Sequence, residues 1–198
     1  MKTRLSFALS FAILNLSIAN AQQSNAKLQQ VFDTYYQEAN AVDPLSATFY
    51  GVEGYNDLLP ADDEAFLKKK HDFYAKYLKI LQDFAKVSLN NEDKISCEIL
   101  ENDLKTALIL EKYHPEYMPI DQMRSLPMYI TIFGSGNSAQ PFKTVKDYEN
   151  WLKRCNAYSH WTDVAIENMR KGIKEGYVLP KSLVVKVIPQ MQDTTKNN

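Results

Sequence analysis

Cysteine, histidine and glycine are scarce in this chain, and each scarcity narrows the chemistry it can carry. The 198 residues include two cysteines, three histidines and six glycines. Two cysteines are too few for the dense disulfide framework of a small secreted scaffold. Both Cys97 and Cys155 fall on apolar helical positions. We therefore expect two separate core thiols, with a disulfide between them as the open alternative.

The histidines do not form the pattern of a helical zinc site. Such a site needs two histidines one turn apart on a helix, with a glutamate acting as base. His71, His114 and His160 are widely separated. The run His114-Pro115-Glu116 brings a histidine near a glutamate, but its proline excludes the middle of a helix. No catalytic residue, metal ligand or cofactor is therefore predicted for this chain.

The few glycines offer one candidate phosphate-binding turn. The segment 134–139, Gly-Ser-Gly-Asn-Ser-Ala, follows the strand-like run MYITIF and has the spacing of a dinucleotide-binding turn. That site needs a helix N-terminus directly after the turn. Gln140 and Pro141 follow instead. We therefore expect an ordinary loop.

An excess of positive charge is also missing, and this argues against nucleic acid as a partner. The formal net charge is −1. Without Lys2 and Arg4, which belong to the leader described next, 21 basic residues stand against 24 acidic ones, a charge of −3. Phosphate binding draws on clustered Lys and Arg. The one dense basic run, Lys68-Lys69-Lys70, lies among acidic residues, so we interpret it as a solvated helix face.

The chain has no apolar run long enough to span a membrane. The longest, residues 5–18, is shorter than the roughly 20 residues a span needs. It follows a short basic start and precedes Ala19-Asn20-Ala21, the small-x-small pattern cleaved by signal peptidase. We expect residues 1–21 to be a cleaved bacterial signal peptide with the mature start at Gln22. This predicts a periplasmic or secreted protein without a stable membrane anchor.

Helical periodicity dominates the rest of the chain and predicts an all-α fold, an irregular multi-helix bundle in one domain. Apolar residues recur at helical spacing up to about residue 40, and Asp43-Pro44 begins a short second helix. Two longer amphipathic segments, one at about 62–89 and one from Asn91 to the break at His114-Pro115, predict an antiparallel hairpin. The segment at about 118–142 is expected to be one long loop.

The C-terminal third predicts three more helices. Thr144 and Asp147 form a capping box, and a further start is expected at Ser159 or Thr162. Gly176 is the expected stop, and Pro180 the restart of an amphipathic run. The apolar face of that run, between Leu183 and Ile188, has no later partner in this sequence.

Three segments resemble the N-terminal half of one bacterial family, the domain of unknown function 885. VDPLSATFYGVEGYND at 42–57 resembles its early Asp-Pro and Ala-Thr segment, and MPIDQM at 118–123 its Pro-x-x-Gln turn. The block at 141–191, with its Asp-Tyr, Arg, Gly-Ile and Gly-x-x-x-Pro elements, is the specific part. The resemblance covers about residues 28–192.

The resemblance implies a mostly helical, exported zinc-dependent peptidase whose H-E-x-x-H helix lies in its C-terminal half. That motif has no counterpart here. Residues 22–198 are then expected to be the helical N-terminal portion of a larger domain, inactive alone. Its partners would be the C-terminal portion of the same protein and a peptide substrate. Pro119, Asp121 and Gln122 would border the substrate cleft. The open alternative is a self-sufficient exported helical module that binds a peptide or protein.

Overall fold

Helices and their connecting turns make up the part of the chain described by the computed structural model, residues 23–84, 87–123 and 125–194. These residues contain seven α-helices, two 3-10 helices and no β-strand, which confirms the all-α prediction. No helix in these ranges is long and apolar enough to cross a membrane. The α-helices are α1 (Ala26–Val42), α2 (Pro44–Phe49), α3 (Glu64–Phe84), α4 (Asn91–Leu110), α5 (Leu126–Gly134), α6 (Val145–Glu175) and α7 (Lys181–Thr194), and the 3-10 helices Glu111–Tyr113 and Pro115–Tyr117 lie between α4 and α5.

The main apolar core lies between α1, α3 and α4. The expected antiparallel hairpin of α3 and α4 is present, because His71 near the start of α3 lies 2.7 Å from Glu111 just after α4. Within the core, the ring of Tyr35 packs edge-on against Tyr77, with 5.0 Å between centroids. The buried members of this cluster are Leu28, Val42, Phe73, Tyr77, Leu81, Cys97 and Leu104.

The residues before α1 are tied to the start of α4 by one buried carboxylate. Asp93 accepts hydrogen bonds from Ser24 Oγ at 2.8 Å, the backbone N–H of Asn25 at 2.7 Å and Gln29 Nε2 at 3.0 Å. The hydrogen bond from the Asn25 backbone is the main reason that the pKa of Asp93 is lowered. Ionised Asp93 therefore fixes the beginning of the described chain to the helical hairpin.

The segment at 118–142 is not one long loop, as the sequence had suggested. It contains α5, Leu126–Gly134, and the strand-like run MYITIF lies within this helix. Pro127 stands in the first turn, where its missing N–H costs nothing. The periodicity of a short apolar run does not distinguish a β-strand from a buried helix. Here the run forms a helix that buries Pro127 and Phe133.

The two helices expected after Thr144 are a single helix, α6, of 31 residues. The capping box is confirmed: Thr144 Oγ1 accepts from the Asp147 N–H, and Asp147 Oδ2 accepts from the Thr144 N–H at 2.8 Å. The second start expected at Ser159 or Thr162 is wrong. Thr162 Oγ1 donates to the carbonyl of Tyr158 at 2.9 Å, so this hydroxyl is satisfied inside the helix. Gly176 ends α6 at φ 86°, as predicted.

Candidate functional site: a polar cleft beside an apolar groove

A buried arginine on α6 fixes the irregular segment between α2 and α3. The Arg154 guanidinium is inaccessible to solvent and makes four hydrogen bonds to neutral acceptors. Its partners are the carbonyl oxygens of Tyr55 (2.7 Å) and Leu58 (3.0 Å), Thr48 Oγ1 (2.8 Å) and Gln140 Oε1 (2.5 Å). Burial lowers the pKa of Arg154 to about 10, which leaves it charged at neutral pH. Arg154 thereby holds one border of the site in place.

Two adjoining cavities between α3, α6 and the 3-10 helices form what we call the central cleft. Their volumes are about 310 and 570 Å³, within the range of ligand sites. The smaller cavity is mainly apolar and aromatic, and the larger is lined by charged groups. Four residues line both cavities: Leu67, Lys70, Pro115 and Glu116.

Backbone strain is concentrated at this cleft. Among the described residues, only Asp62 (φ 55°) and His114 (φ 49°) are non-glycine residues with positive φ. Asp62 lines the smaller cavity and His114 the larger. Two buried α6 side chains hold Asp62: Trp161 Nε1 donates to its carboxylate at 2.8 Å, and Asn168 Nδ2 to its carbonyl at 3.1 Å. A strained backbone conformation persists only where surrounding contacts maintain it. Such conformations are most common at functional sites, so their position supports this cleft as the candidate site.

Two histidine–glutamate pairs lie in the larger cavity. His71 Nδ1 is 2.7 Å from Glu111 Oε2, and His114 Nδ1 is 2.9 Å from Glu116 Oε1. The second oxygen of Glu111 is buried and has no hydrogen-bond partner within the described structure. The His114 ring also stacks on Tyr117, with 4.7 Å between centroids and 12° between planes. The histidines are thus held to carboxylates of the protein itself.

Lysines in this cleft differ in how they are paired. Lys68 forms an ion pair with Asp72 on the exposed side of α3. Lys70, partly buried, lines both cavities and forms no ion pair or hydrogen bond with any residue that the structure describes. Lys68 and Lys69 are exposed, as the solvated face expected for 68–70 requires, whereas Lys70 is partly buried and lines the cleft.

Tyr117 separates the central cleft from a second, apolar cavity. This apolar groove has a volume of about 340 Å³ and lies between the second 3-10 helix, the end of α6 and α7. Tyr117 packs so closely on α6 that a Cβ at Gly172 would lie 2.8 Å from the Tyr117 Cβ. Burial, with the carboxylates of Glu175 and Glu116 adding, raises the pKa of Tyr117. The groove is lined by Tyr117, Met118, Ile120, Met169, Ile173, Tyr177, Val178, Leu179, Val184, Val187 and Ile188.

The turn at 119–122 meets the cleft only at its first residue. Pro119 lines the smaller cavity. Asp121 Oδ1 accepts from the backbone N–H of Met123 at 2.5 Å, and the carbonyl of Gln122 accepts from Gln190 Nε2 of α7 at 3.3 Å. Asp121 and Gln122 therefore organise the turn and its contact with α7. Their role at a substrate cleft stays a prediction.

Cleavage-site residues Ala19, Ala21 and Gln22 lie outside the described part of the chain. Within the described ranges, no three histidine, cysteine, aspartate or glutamate side chains are placed to hold a metal ion. The residues of these ranges therefore do not fit the zinc that the family resemblance implies, and we assign no metal-dependent step to them. Cys97 and Cys155 are separate free thiols, as expected.

Sequence reasoning missed three contributors to this site: Arg154, Asp62 and Lys70. Arg154 had a usable signal, since it lies three residues after Trp151 and seven before Trp161 and so shares their buried stripe. A charged residue on such a stripe predicts a buried polar network. Nothing in the sequence marks the left-handed backbone of Asp62, which accepts hydrogen bonds from Trp161 and Asn168 of α6.

The fold and the site together define the class of this protein: it is an all-α protein with a polar cleft and an adjacent apolar groove. The sequence profile of the family described as "Bacterial protein of unknown function (DUF885)" matches residues 44–198. The chain belongs to this family, which confirms the resemblance seen in the sequence. No curated protein and no solved structure matches the chain significantly.

Proposed function

We propose that this chain is the helical N-terminal portion of an exported zinc-dependent peptidase. In this proposal a C-terminal portion of the same protein supplies the zinc ligands, and the residues described here contribute a wall of the substrate cleft. The chain alone is then inactive. The signal-like leader at 1–21 supports export, and family membership over residues 44–198 supports the peptidase assignment through the resemblance stated above.

The observation that carries this proposal is the exposed apolar rim of the groove. Val184 and Ile188, one turn apart on α7, are 38% and 52% exposed, and Ile173 at the end of α6 is 64% exposed. Fully burying such side chains contributes about 1.5–3 kcal/mol each. Contiguous exposed apolar surface is typical of interaction sites. A covering segment is the partner we propose.

The first experiment is to read the source DNA beyond codon 198 in all three frames. We expect an open frame that encodes an H-E-x-x-H helix. The protein that includes this frame should contain about one zinc per chain by elemental analysis. It should cleave quenched fluorescent peptides until a chelator is added, whereas the 198-residue chain should not. Peptide cleavage by the 198-residue chain alone, or a zinc-free longer protein, would contradict the proposal.

A variant pair tests the groove as the covered surface. Ile188→Lys places a charge on the rim, and Ser182→Lys places one on an exposed polar position of the same helix. Both changes are expected to leave the stability of the 198-residue chain nearly unchanged. In the longer protein only Ile188→Lys should lower the thermal midpoint and the activity. If the two variants lowered the thermal midpoint and the activity of the longer protein equally, the groove would not be part of the proposed interface.

The polar cleft favours a second candidate, an exported helical module that binds a peptide or protein without catalysis. Its volume and converging polar groups fit ligand binding without any further segment. The DNA experiment separates the two candidates. A genuine stop with no downstream zinc-binding frame leaves the binding module, and then the cleft becomes the surface to test.

A further inference from the structure

Among the residues that the structure describes, Lys70 is the one cation that lines both cavities of the central cleft. One oxygen of each nearby carboxylate contacts a group other than Lys70: Glu111 contacts His71, Glu116 contacts His114, and Asp62 accepts from Trp161. Lys70 is partly buried and has no hydrogen bond or ion pair among the described residues, so its ammonium is available to an anion that enters the cleft. A ligand anion at the junction of the cavities would supply the counter-ion.

The other uncompensated charges in the cleft do not substitute for that anion. Glu64 lies in the first turn of α3, where the helix N-terminus favours a negative charge. Lys171 lines the larger cavity only and is exposed to water. Lys70 is thus distinguished by its position, with the charged cavity on one side and the apolar cavity on the other.

The smaller cavity indicates what is attached to the anion. Pro60, Leu126, Tyr129 and Trp161 supply apolar and aromatic surface next to Lys70. A carboxylate with an apolar side chain on the adjacent carbon matches this arrangement. That is the chemistry of the C-terminal residue of a peptide, with its side chain in the smaller cavity and the preceding residue toward the larger one.

We infer that the central cleft binds the C-terminal end of a short peptide, with Lys70 pairing with its terminal carboxylate. This inference rests on the proposed function only in taking a peptide as the ligand. It requires neither zinc nor hydrolysis. A charge-assisted hydrogen bond from Lys70 to the carboxylate supplies the selectivity for a free C-terminus.

The test measures binding to the 198-residue protein by titration calorimetry. The probes are N-acetyl-leucyl-phenylalanine, the same peptide with a C-terminal amide, and inorganic phosphate. We expect the free acid to bind about tenfold more tightly than the amide, equivalent to about 1.4 kcal/mol. Lys70→Gln should abolish this preference. Lys69→Gln, the exposed neighbour on α3, should retain it.

Outcomes of the titration separate this inference from the peptidase proposal. Equal affinity for acid and amide, a preference that survives Lys70→Gln, or no binding at millimolar peptide would overturn the inference and leave the zinc experiment unaffected. Phosphate that displaces the peptide at a lower concentration would make the cleft a site for free anions and also overturn it. Acid-selective binding that depends on Lys70 would stand even if the longer protein held no zinc.

Discussion

Trp161 Nε1 donates a hydrogen bond of 2.8 Å to the carboxylate of Asp62, and Asp62 has a φ of 55°. The donor is rigid and buried in α6, whereas the acceptor lies in irregular chain between α2 and α3. The left-handed conformation is unfavourable for a residue with a Cβ, so contacts outside the local chain must maintain it. The Trp161–Asp62 hydrogen bond is one such contact, and it helps to shape the smaller cavity.

Replacing Trp161 by phenylalanine tests this relationship. Trp161→Phe keeps an aromatic ring but leaves the carboxylate of Asp62 without its donor, so we expect a loss of about 1–3 kcal/mol in the free energy of unfolding. Trp151→Phe is the matched control, because its indole N–H donates no hydrogen bond among the described contacts. The measurement is urea denaturation followed by circular dichroism. Equal losses in both variants would show that the hydrogen bond to Asp62 contributes nothing.

Arg154 is expected to be the most sensitive single position of the site. Arg154→Met fills similar volume but leaves the carbonyls of Tyr55 and Leu58 and the polar groups of Thr48 and Gln140 without their donor. We expect a loss of about 3 kcal/mol or more, since each unsatisfied buried group costs about 1–3 kcal/mol. The measurement is the urea midpoint, together with limited proteolysis at residues 50–61.

The neighbouring Lys153 provides the control for Arg154. Lys153 forms an exposed ion pair with Asp57 at 3.2 Å, and such pairs contribute about 0–1 kcal/mol. Lys153→Ala should therefore change stability little and leave residues 50–61 resistant to protease. A small effect of Arg154→Met, similar to that of Lys153→Ala, would refute the role assigned to the guanidinium.

Gly172 permits the close packing between α6 and the second 3-10 helix. Gly172→Ala would place a Cβ 2.8 Å from the Cβ and 3.0 Å from the carbonyl oxygen of Tyr117. Such a clash costs about 1–3 kcal/mol, which outweighs the gain of about 1 kcal/mol that alanine gives in a helix. We expect a net loss in thermal unfolding. Ser159→Ala, an exposed position of α6, should be neutral or slightly stabilising, and a stabilising Gly172→Ala would contradict the packing argument.

The carboxylate of Asp93 links stability to pH. Hydrogen bonds, chiefly from the backbone of Asn25, lower its pKa from the ordinary value of 3.8, so the folded state favours the ionised form. The stabilisation that ionised Asp93 gives the folded state is therefore complete above pH values near the ordinary pKa. It is lost as the pH falls through the lower pKa that Asp93 has in the folded protein. The stability gap between the wild-type protein and Asp93→Asn should be constant from about pH 7 to pH 5 and narrow below about pH 4.

Urea midpoints at each pH measure the gap for Asp93. Asp163→Asn, on the exposed surface of α6, serves as the control and should show a small gap throughout. A gap for Asp93→Asn that stays constant down to pH 3, or widens, would mean that Asp93 does not stabilise the fold as an anion.

The two cysteines are expected to be reduced and slow to react. Burial raises the pKa of both the Cys97 and the Cys155 thiols, so little reactive thiolate forms at pH 7.4. Mass spectrometry after alkylation in denaturant should find two free thiols in the purified protein. Before denaturation, Cys97 should label more slowly than Cys155, because it is the more buried. A disulfide-linked peptide between the two positions would contradict the structure.

The sequence by itself determined the helical class, most helix starts and the family. Periodic apolar spacing, the Thr144–Asp147 capping box and the Gly176 stop are local properties, and local hydrogen bonds and dihedral preferences are sufficient to specify them. The antiparallel hairpin also followed, since two long amphipathic helices joined by a short connection must lie side by side to bury their stripes.

Only the tertiary structure decided the rest. The run 126–134 is helical because the helix buries Pro127 and Phe133. The composition of the run did not distinguish this helix from a strand or a loop. The position of Lys70 between two cavities, the strained backbone of Asp62 and the buried network of Arg154 arise from contacts between residues distant in the sequence. Such contacts depend on how helices pack. The apolar stripe of α6 marks Arg154 as buried, but no local pattern identifies its partners, the backbone of Asp62 or the position of Lys70. The cleft is therefore a property of the assembled fold.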